Sequence, residues 1–463
     1  MEIAQARKRR IVFLILLSLA FLFRLGFGVC SEFWNADEKQ IYLIGLKHYT
    51  TGAWPYFGPD VTSTIQVPGA LQGLTTGLPF YLLPIPKAPY ILLNILSFAA
   101  LLSFFRLAEN TGRDNPAPTV FYYGLRIMPE HFLTTAALTR DELEALIESA
   151  LRFKRGEERA KPLAGRSIAL VFFNPSLRTR ASMQVGVFEL GGNAVVLEPG
   201  GTSWTLEHRE GAVMDGDKTE HVAEFVRVLG RYCAGLGVRT FAALKDWEEE
   251  RRDPVLKAFA KYSDVPVINL ESAMHHPCQA LADMMTVREK LGARRKRVLL
   301  TWAWHPKPLP MAVPNSFALA AAQMGHDLVI AHPQGYELDD ELMRDIESHA
   351  KDAGGSVSLT NEVNEAFDGV DVVYAKSWGS RRFYGAGAKD VEERASYRQS
   401  WIVDEEKMAR TREAIFMHCL PVRRNVIVTD GVIDSPLSVV IDEAENRLHA
   451  QKAIMTKLLE AQR

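Results

Sequence analysis

From residue 167 onward, short apolar runs alternate with stretches of helical periodicity, a pattern that few folds accept. The apolar runs cover residues 167–173, 194–197, 236–239, 265–269, 297–301, 327–331, 372–375, 414–418 and 439–441. Helical runs, such as residues 314–324, separate most of them. Strand–helix alternation predicts parallel sheets with helices on both faces. Ligands of such sheets bind beyond the carboxyl ends of the strands. Upstream, residues 139–153 place Leu143, Leu146, Ile147 and Leu151 at helical spacing behind a Thr139–Glu142 capping box. Residues 443–463 are helical in pattern as well.

The chemistry concentrates where the strands stop. The first apolar run ends in FFNPSLRTR, residues 172–180, where Asn174-Pro175 halts the strand and a helix-compatible stretch begins at Ser176. A helix N-terminus carries unpartnered N–H groups and a positive dipole end, so it attracts anions. Arg178 and Arg180 add planar forks that match phosphate oxygens. The expected ligand is a small phosphate compound held without metal. Residues 271–279, 302–310, 376–379 and 418–424 also lie at or just after strand ends, and one sheet edge would gather them all.

Charge is nearly balanced, 54 Lys+Arg against 56 Asp+Glu, which argues against a nucleic-acid-binding surface. Cys30, Cys233, Cys278 and Cys419 show neither CxxC pairing nor zinc-like spacing to histidine, so no structural metal or disulfide framework is expected. Four scattered thiols fit a reducing compartment.

The first 106 residues differ from the rest. Residues 11–29 and 89–105 are apolar and long enough to cross a bilayer, and Lys8, Arg9 and Arg10 would keep the amino end cytoplasmic. A signal peptide is the rival reading of residues 11–29, although no small-residue cleavage pattern follows them. The intervening loop, with Asp37 and Glu38, resembles the start of polytopic lipid-linked-sugar glycosyltransferases, in which an acidic pair of the first outward loop is catalytic. Two spans are too few for such an enzyme, and the segment reads as a truncated piece without catalysis of its own. Residues 107–127 form a linker, polar and Pro/Gly-rich over residues 109–118. Met128 is a candidate start of a free-standing enzyme, which leaves a chimeric reading frame open beside a genuine fusion.

Three segments in order, FFNPSLRTR, HHPCQALAD (275–283) and HCLPVRRN (418–425), resemble the transcarbamylases, the aspartate and ornithine carbamoyltransferases. WAWHPKPLP (302–310), YAKSW (374–378) and DEAENR (442–447) look like the N-acetylornithine and N-succinylornithine branch. The resemblance covers residues 128–463. It implies an α/β transcarbamylase fold with two parallel-sheet domains flanked by helices, here preceded by the two candidate transmembrane helices. It also implies a carbamoyl-phosphate-binding domain (128–275), an acylornithine-binding domain (276–445), a carboxyl-terminal helix (446–463) returning to the first domain, and a homotrimer with shared sites. No cofactor is implied.

By the same resemblance, Ser176, Leu177, Arg178 and Thr179 hold the phosphate, with Arg239 as a second phosphate arginine. Trp204 reaches the neighbouring subunit's site. His276 takes the carbonyl oxygen and Gln279 the carbamoyl amino group, with Pro277 and Cys278 between them. Cys419 lines the site rather than acting as a nucleophile, and the Leu420 carbonyl accepts from nitrogen. Arg447 contacts the carbamoyl group. Arg178, His276, Cys419 and Arg447 make the catalytic set. Lys376 pairs with the α-carboxylate of the second substrate, and Glu271, Arg423 and Leu420 lie near it. Taken alone, Arg239 also reads as a surface arginine, His276 as a core histidine and Cys419 as a small buried hydrophobe.

Thr219 occupies the position where acetyl-type enzymes carry Glu and succinyl-type enzymes Pro, and Ile427 stands where the acetyl type has Lys. The expected reaction is carbamoyl transfer from carbamoyl phosphate to an N-acylornithine in cytoplasmic arginine synthesis. Ornithine carbamoyltransferase and a membrane-tethered inactive homologue are the rivals.

Overall fold

The computed structural model describes residues 131–460 and, before them, an antiparallel strand pair, Phe57–Thr62 with Ile65–Pro68. The chain divides into two compact units, Met1–Gly124 and Leu125–Arg463. The candidate spans 11–29 and 89–105, Asp37, Glu38 and the linker 107–127 lie outside the described residues. Among the described residues no helix is long and apolar enough to cross a membrane.

The second unit holds two main sheets, both wholly parallel, beside a short parallel pair, Leu206–Glu207 with Glu220–His221. The first comprises β1 (Ser167–Phe172), β2 (Asn193–Leu197), β3 (Gly235–Arg239) and β4 (Val267–Glu271), in the order β2-β1-β3-β4. The second comprises β5 (Arg297–Trp302), β6 (Asp327–Ala331), β7 (Ser356–Thr360), β8 (Val372–Lys376) and β9 (Ile415–Met417), in the order β7-β6-β5-β8-β9. The central strands are buried on both faces and read as continuous apolar runs. Register places the functional strand ends side by side. Phe172 opposes Arg239, Arg239 opposes Glu271 after an irregularity at Val238, and Lys376 opposes Trp302. Gly237 permits the close packing of β3, since a Cβ there would meet Leu270 at 2.8 Å and Leu170 at 3.0 Å.

The main helices are α1 (Arg140–Lys154), α2 (Arg178–Glu189), α3 (Val222–Tyr232), α4 (Pro254–Tyr262), α5 (Pro277–Leu291), α6 (Ala312–Gln323), α7 (Asp340–Asp352) and α8 (Val440–Glu460). Thr139 and Glu142 make both bonds of the capping box that starts α1. Leu143, Leu146, Ile147, Ala150 and Leu151 form its buried stripe, each fully buried large apolar side chain contributing about 1.5–3 kcal/mol. All residues of α6 are buried, which its alanine-rich sequence allows. The last helix, α8, packs on α1, α2 and α5. Asn446 bridges there to Lys154 (2.8 Å) and Thr286 (2.9 Å).

Two elements differ from the sequence reading. Residues 439–441 are not a strand: Ser438 makes a single parallel bridge to Phe416, and α8 begins at Val440. The β-branched run looked extended, but only one residue finds a strand partner. Ser356–Thr360, in turn, is an edge strand with mostly exposed, polar-alternating residues, so no apolar run announced it.

Candidate functional site

Between the carboxyl ends of the two sheets lies a cavity of about 670 Å³. Ser176, Leu177, Arg178, Thr179, Arg239, Glu271, His276, Gln279, Lys376, Cys419, Leu420, Arg423 and Arg447 line it, with Phe241, His305, Leu309, Pro310, Val313 and Ile427 among the other walls. Five cationic side chains, Arg178, Arg239, Lys376, Arg423 and Arg447, face one carboxylate, Glu271. Such an excess of positive charge in a concave, partly buried site suits a polyanionic ligand.

One end is the tip of α2. Asn174 Oδ1 accepts the Phe241 N–H (2.8 Å), tying the β1–α2 turn to the segment after β3. Ser176 Oγ accepts the Thr179 N–H (3.2 Å), and Leu177 at the cap makes no side-chain bond. Other first-turn N–H groups therefore remain for an anion. Arg447 Nη2 donates to Thr179 Oγ1 (2.7 Å), and Arg239 Nη1 donates to Glu271 Oε2 (2.6 Å). The Nε atoms of Arg178, Arg239 and Arg447 are buried without a hydrogen-bond partner. Burial first, and Arg447 in addition, lower the pKa of both Arg178 and Arg239, while Glu271 opposes the shift at Arg239. Guanidinium groups stay charged regardless, so desolvated cations crowd together with donors to spare.

The middle of the cavity offers a donor and an acceptor. His276 caps α5, ahead of Pro277 at the first helical position, and its N–H donates to Ser316 Oγ (2.7 Å). Burial, then the charges of Arg447, Arg239 and Lys376, hold its imidazole well below the usual pKa, hence neutral. Its Nε2 is 3.6 Å from Glu271 Oε2, and its Nδ1 is unpartnered. Gln279 points its Nε2 away, to Asp283 Oδ1 (2.8 Å) and Glu443 Oε1 (3.1 Å), and its Oε1 has no partner. Beside them burial pushes the Cys419 thiol up, against the opposing charge of Lys376. A protonated thiol is a weak nucleophile. Leu420 has a left-handed backbone (φ +52°), and its N–H is held by His418 Nδ1 at 2.9 Å. Glu271 also has a positive φ (+148°). Strained backbone of this kind gathers at functional sites.

The other end is made mostly of loops. Lys376 ends β8. Arg423 Nε donates to His305 Nε2 (3.0 Å), and His305 Nδ1 lies 2.9 Å from the Lys307 carbonyl and 3.1 Å from the Lys307 nitrogen. The 302–310 loop is held from below by Arg394, fully buried, which donates to the carbonyls of His305 (3.2 Å), Lys307 (2.9 Å) and Trp378 (3.1 Å). Asp390 pairs with that guanidinium (2.6 Å) and also takes the Tyr336 hydroxyl (3.0 Å) and the Ser380 N–H (2.8 Å).

Five expected residues are not walls of this cavity, and the first, Arg180, pairs instead with Glu198. Trp204 is 56% exposed and donates its indole N–H to Glu220 (2.6 Å). Thr219 is exposed in the same region. Pro277 starts α5 from within the packing, and the Cys278 thiol is buried against the Asn269 carbonyl (3.4 Å). His305, Asp283, Glu443, Asp390 and Arg394 carry the site's internal bonds, but sequence reasoning did not single them out. Gln279 and Asp283 stand four apart on one helix face, a signal that was available. The others meet across long stretches of chain.

The sequence profile described as "Aspartate/ornithine carbamoyltransferase, carbamoyl-P binding domain" matches residues 130–289, and "Aspartate/ornithine carbamoyltransferase, Asp/Orn binding domain" matches residues 311–458. An N-acetylornithine carbamoyltransferase of Xanthomonas campestris pv. campestris is 50% identical over 334 residues, 71% of this chain and 98% of the relative. An N-succinylornithine carbamoyltransferase of Bacteroides thetaiotaomicron is 42% identical over 298 residues, 64% of this chain and 88% of the relative. A solved acetylornithine transcarbamylase complexed with acetylcitrulline superposes with a TM-score of 0.69 at 50% identity, covering 71% of this chain and 99% of its own. With both domain profiles matched in order on one two-sheet fold, the chain belongs to the aspartate/ornithine carbamoyltransferase family.

Proposed function

We propose that the protein transfers the carbamoyl group of carbamoyl phosphate to the side-chain amine of N2-acetyl- or N2-succinyl-L-ornithine, releasing N-acyl-L-citrulline and phosphate, a step of arginine synthesis. The observation that carries this reading is one cavity lined by Arg178, Arg239, Arg447, His276 and Gln279 at one end and by Lys376 and Arg423 at the other. Relatives named for acetylornithine and succinylornithine support it. So does a solved variant of N-acetyl-L-ornithine transcarbamylase complexed with carbamyl phosphate and N-succinyl-L-norvaline.

Ser176, Leu177, Arg178 and Thr179 grip the phosphate, joined by Arg239 and by Trp204 of a neighbouring copy in a homotrimer. The backbone at Pro277 and Cys278 sets the start of α5. The neutral amine attacks the carbonyl carbon, and charge develops on the carbonyl oxygen. His276 and Arg447 stabilise that charge. Gln279 Oε1 and the Leu420 carbonyl accept from nitrogen, and Cys419 excludes water. The C–O bond to phosphate then breaks, Arg178 meets the charge on the leaving oxygen, and the proton shed by the amine passes to the departing phosphate. Lys376 pairs with the substrate α-carboxylate, Glu271 and Arg423 help place the second substrate, and Thr219, exposed in the same region as Trp204, reaches the acyl group from a neighbouring copy.

Incubating the protein with carbamoyl phosphate and each ornithine derivative tests the reading. Ureido product with an acylornithine is expected, and product with plain ornithine alone, or none, refutes it. Thr219→Glu should favour acetylornithine and Thr219→Pro succinylornithine. Residues 11–29 and 89–105 would tether the enzyme to a membrane, its catalytic part facing the cytoplasm. The mass and membrane fractionation of the protein from its own cell test that point.

A further inference from the structure

A side-chain amide in a cavity wall can show its oxygen or its nitrogen, two faces of nearly one shape and opposite chemistry. At Gln279 the choice is made from behind. Its Nε2 has two N–H bonds, and two carboxyl groups receive them, Asp283 at 2.8 Å and Glu443 at 3.1 Å. Both carboxyls are fully buried, and they come from different helices, Asp283 from α5 and Glu443 from the first turn of α8. The second oxygen of Glu443 takes the His418 N–H (2.9 Å), next to Cys419 and Leu420 of the same cavity. One carboxylate thus ties together two walls that meet the carbamoyl group. Carboxyl oxygens are natural acceptors at these points, and a flipped amide would set its oxygen against them.

Resting on the carbamoyl phosphate reading above, we propose that Asp283 and Glu443 are positioning residues that hold the Gln279 oxygen toward the cavity, and so make the site select an acyl phosphate bearing N–H over one bearing methyl. Burial is the main force that pushes both carboxyls up, Asp283 to about 7, and each group acts on the other's titration, which fits a shared proton. The Tyr374 hydroxyl faces the pair, and the charge of Arg447 favours ionised Asp283.

Acetyl phosphate matches carbamoyl phosphate except for CH3 in place of NH2, and it is the probe. The measurement compares three constants in the full chain: KM for carbamoyl phosphate, Ki for acetyl phosphate and Ki for inorganic phosphate. Glu443→Gln offers one oxygen where Glu443 uses two, and Asp283→Ala removes the other acceptor. In each, the ratio of acetyl phosphate Ki to carbamoyl phosphate KM should fall about tenfold, the loss of roughly one hydrogen bond's discrimination. Phosphate Ki should stay within about twofold. A ratio unchanged in both variants, or all three constants rising together, overturns the proposal. Loss of phosphate binding in both would show that the pair holds the fold rather than the amide, and overturns it as well. A wild-type protein without carbamoyl transfer would instead refute the function on which this rests.

Discussion

At the end of the cavity proposed for phosphate, strand register and helix tips do the positioning: Arg239 lies opposite Glu271 across two strands, and Thr179 in the first turn of α2 is braced by Arg447. At the end proposed for the acylornithine only Lys376 ends a strand. Arg423 and His305 sit on loops, which a buried pair, Arg394 and Asp390, holds from below. The contrast is physical. A strand end cannot move without disturbing its sheet, so it suits a ligand shared by a whole family. A loop propped by one buried ion pair can change shape while the sheet stays intact, which suits a second substrate that differs between branches.

Removing the central phosphate contact should give the largest effect. Arg178→Ala is expected to lower kcat/KM roughly a thousandfold, with an unchanged melting temperature, because Arg178 makes no side-chain hydrogen bond within the fold that the structure records. Steady-state kinetics beside a thermal melt checks both parts. Asp390→Ala should strand the Arg394 charge in the interior at a cost of about 3–5 kcal/mol, read by denaturant unfolding. Substrate saturation should also show KM rising for the acylornithine and not for carbamoyl phosphate. If both rose together, the two ends would not be independent. Lys376→Ala should cost about tenfold to a hundredfold in kcat/KM for the acylornithine, the usual worth of a charged hydrogen bond.

Acidity should produce the mildest effect, spread over both ends. His131, His208, His275, His276, His305, His326, His418 and His449 are all held below their ordinary pKa chiefly by burial, His275 and His326 at about 4. Unfolded, each imidazole takes up a proton as pH falls through about 6.5, whereas the folded chain resists. Stability is therefore greatest above that pH and falls as pH drops towards 4. The raised carboxyls, Asp253 at about 6, Asp283 at about 7 and Glu443, act in the opposite sense but are fewer. The melting temperature should be lower at pH 5 than at pH 7, and a rise would show that the carboxyls dominate.

Much of this architecture was legible in one dimension. Apolar runs marked the interior strands because a parallel strand covered on both faces has no polar alternation, and the motifs following those runs are cavity walls. Strand Ser356–Thr360 escaped because an edge strand buries little, and residues 439–441 misled because β-branched residues suit strands only where a neighbour exists to pair with them.

Sequence alone determined the alternation of elements, the helix tip that opens α2 and the kinds of group available to the site, since these depend on residues adjacent in the chain. Only the tertiary structure decided that the Gln279 nitrogen is taken up by Asp283 and Glu443 and its oxygen left without a partner, that Arg239 is held by Glu271, and that Arg394 carries the 302–310 loop. Each of those outcomes is a hydrogen bond between residues brought together by folding, and its direction follows from buried neighbours rather than from anything written beside it in the chain.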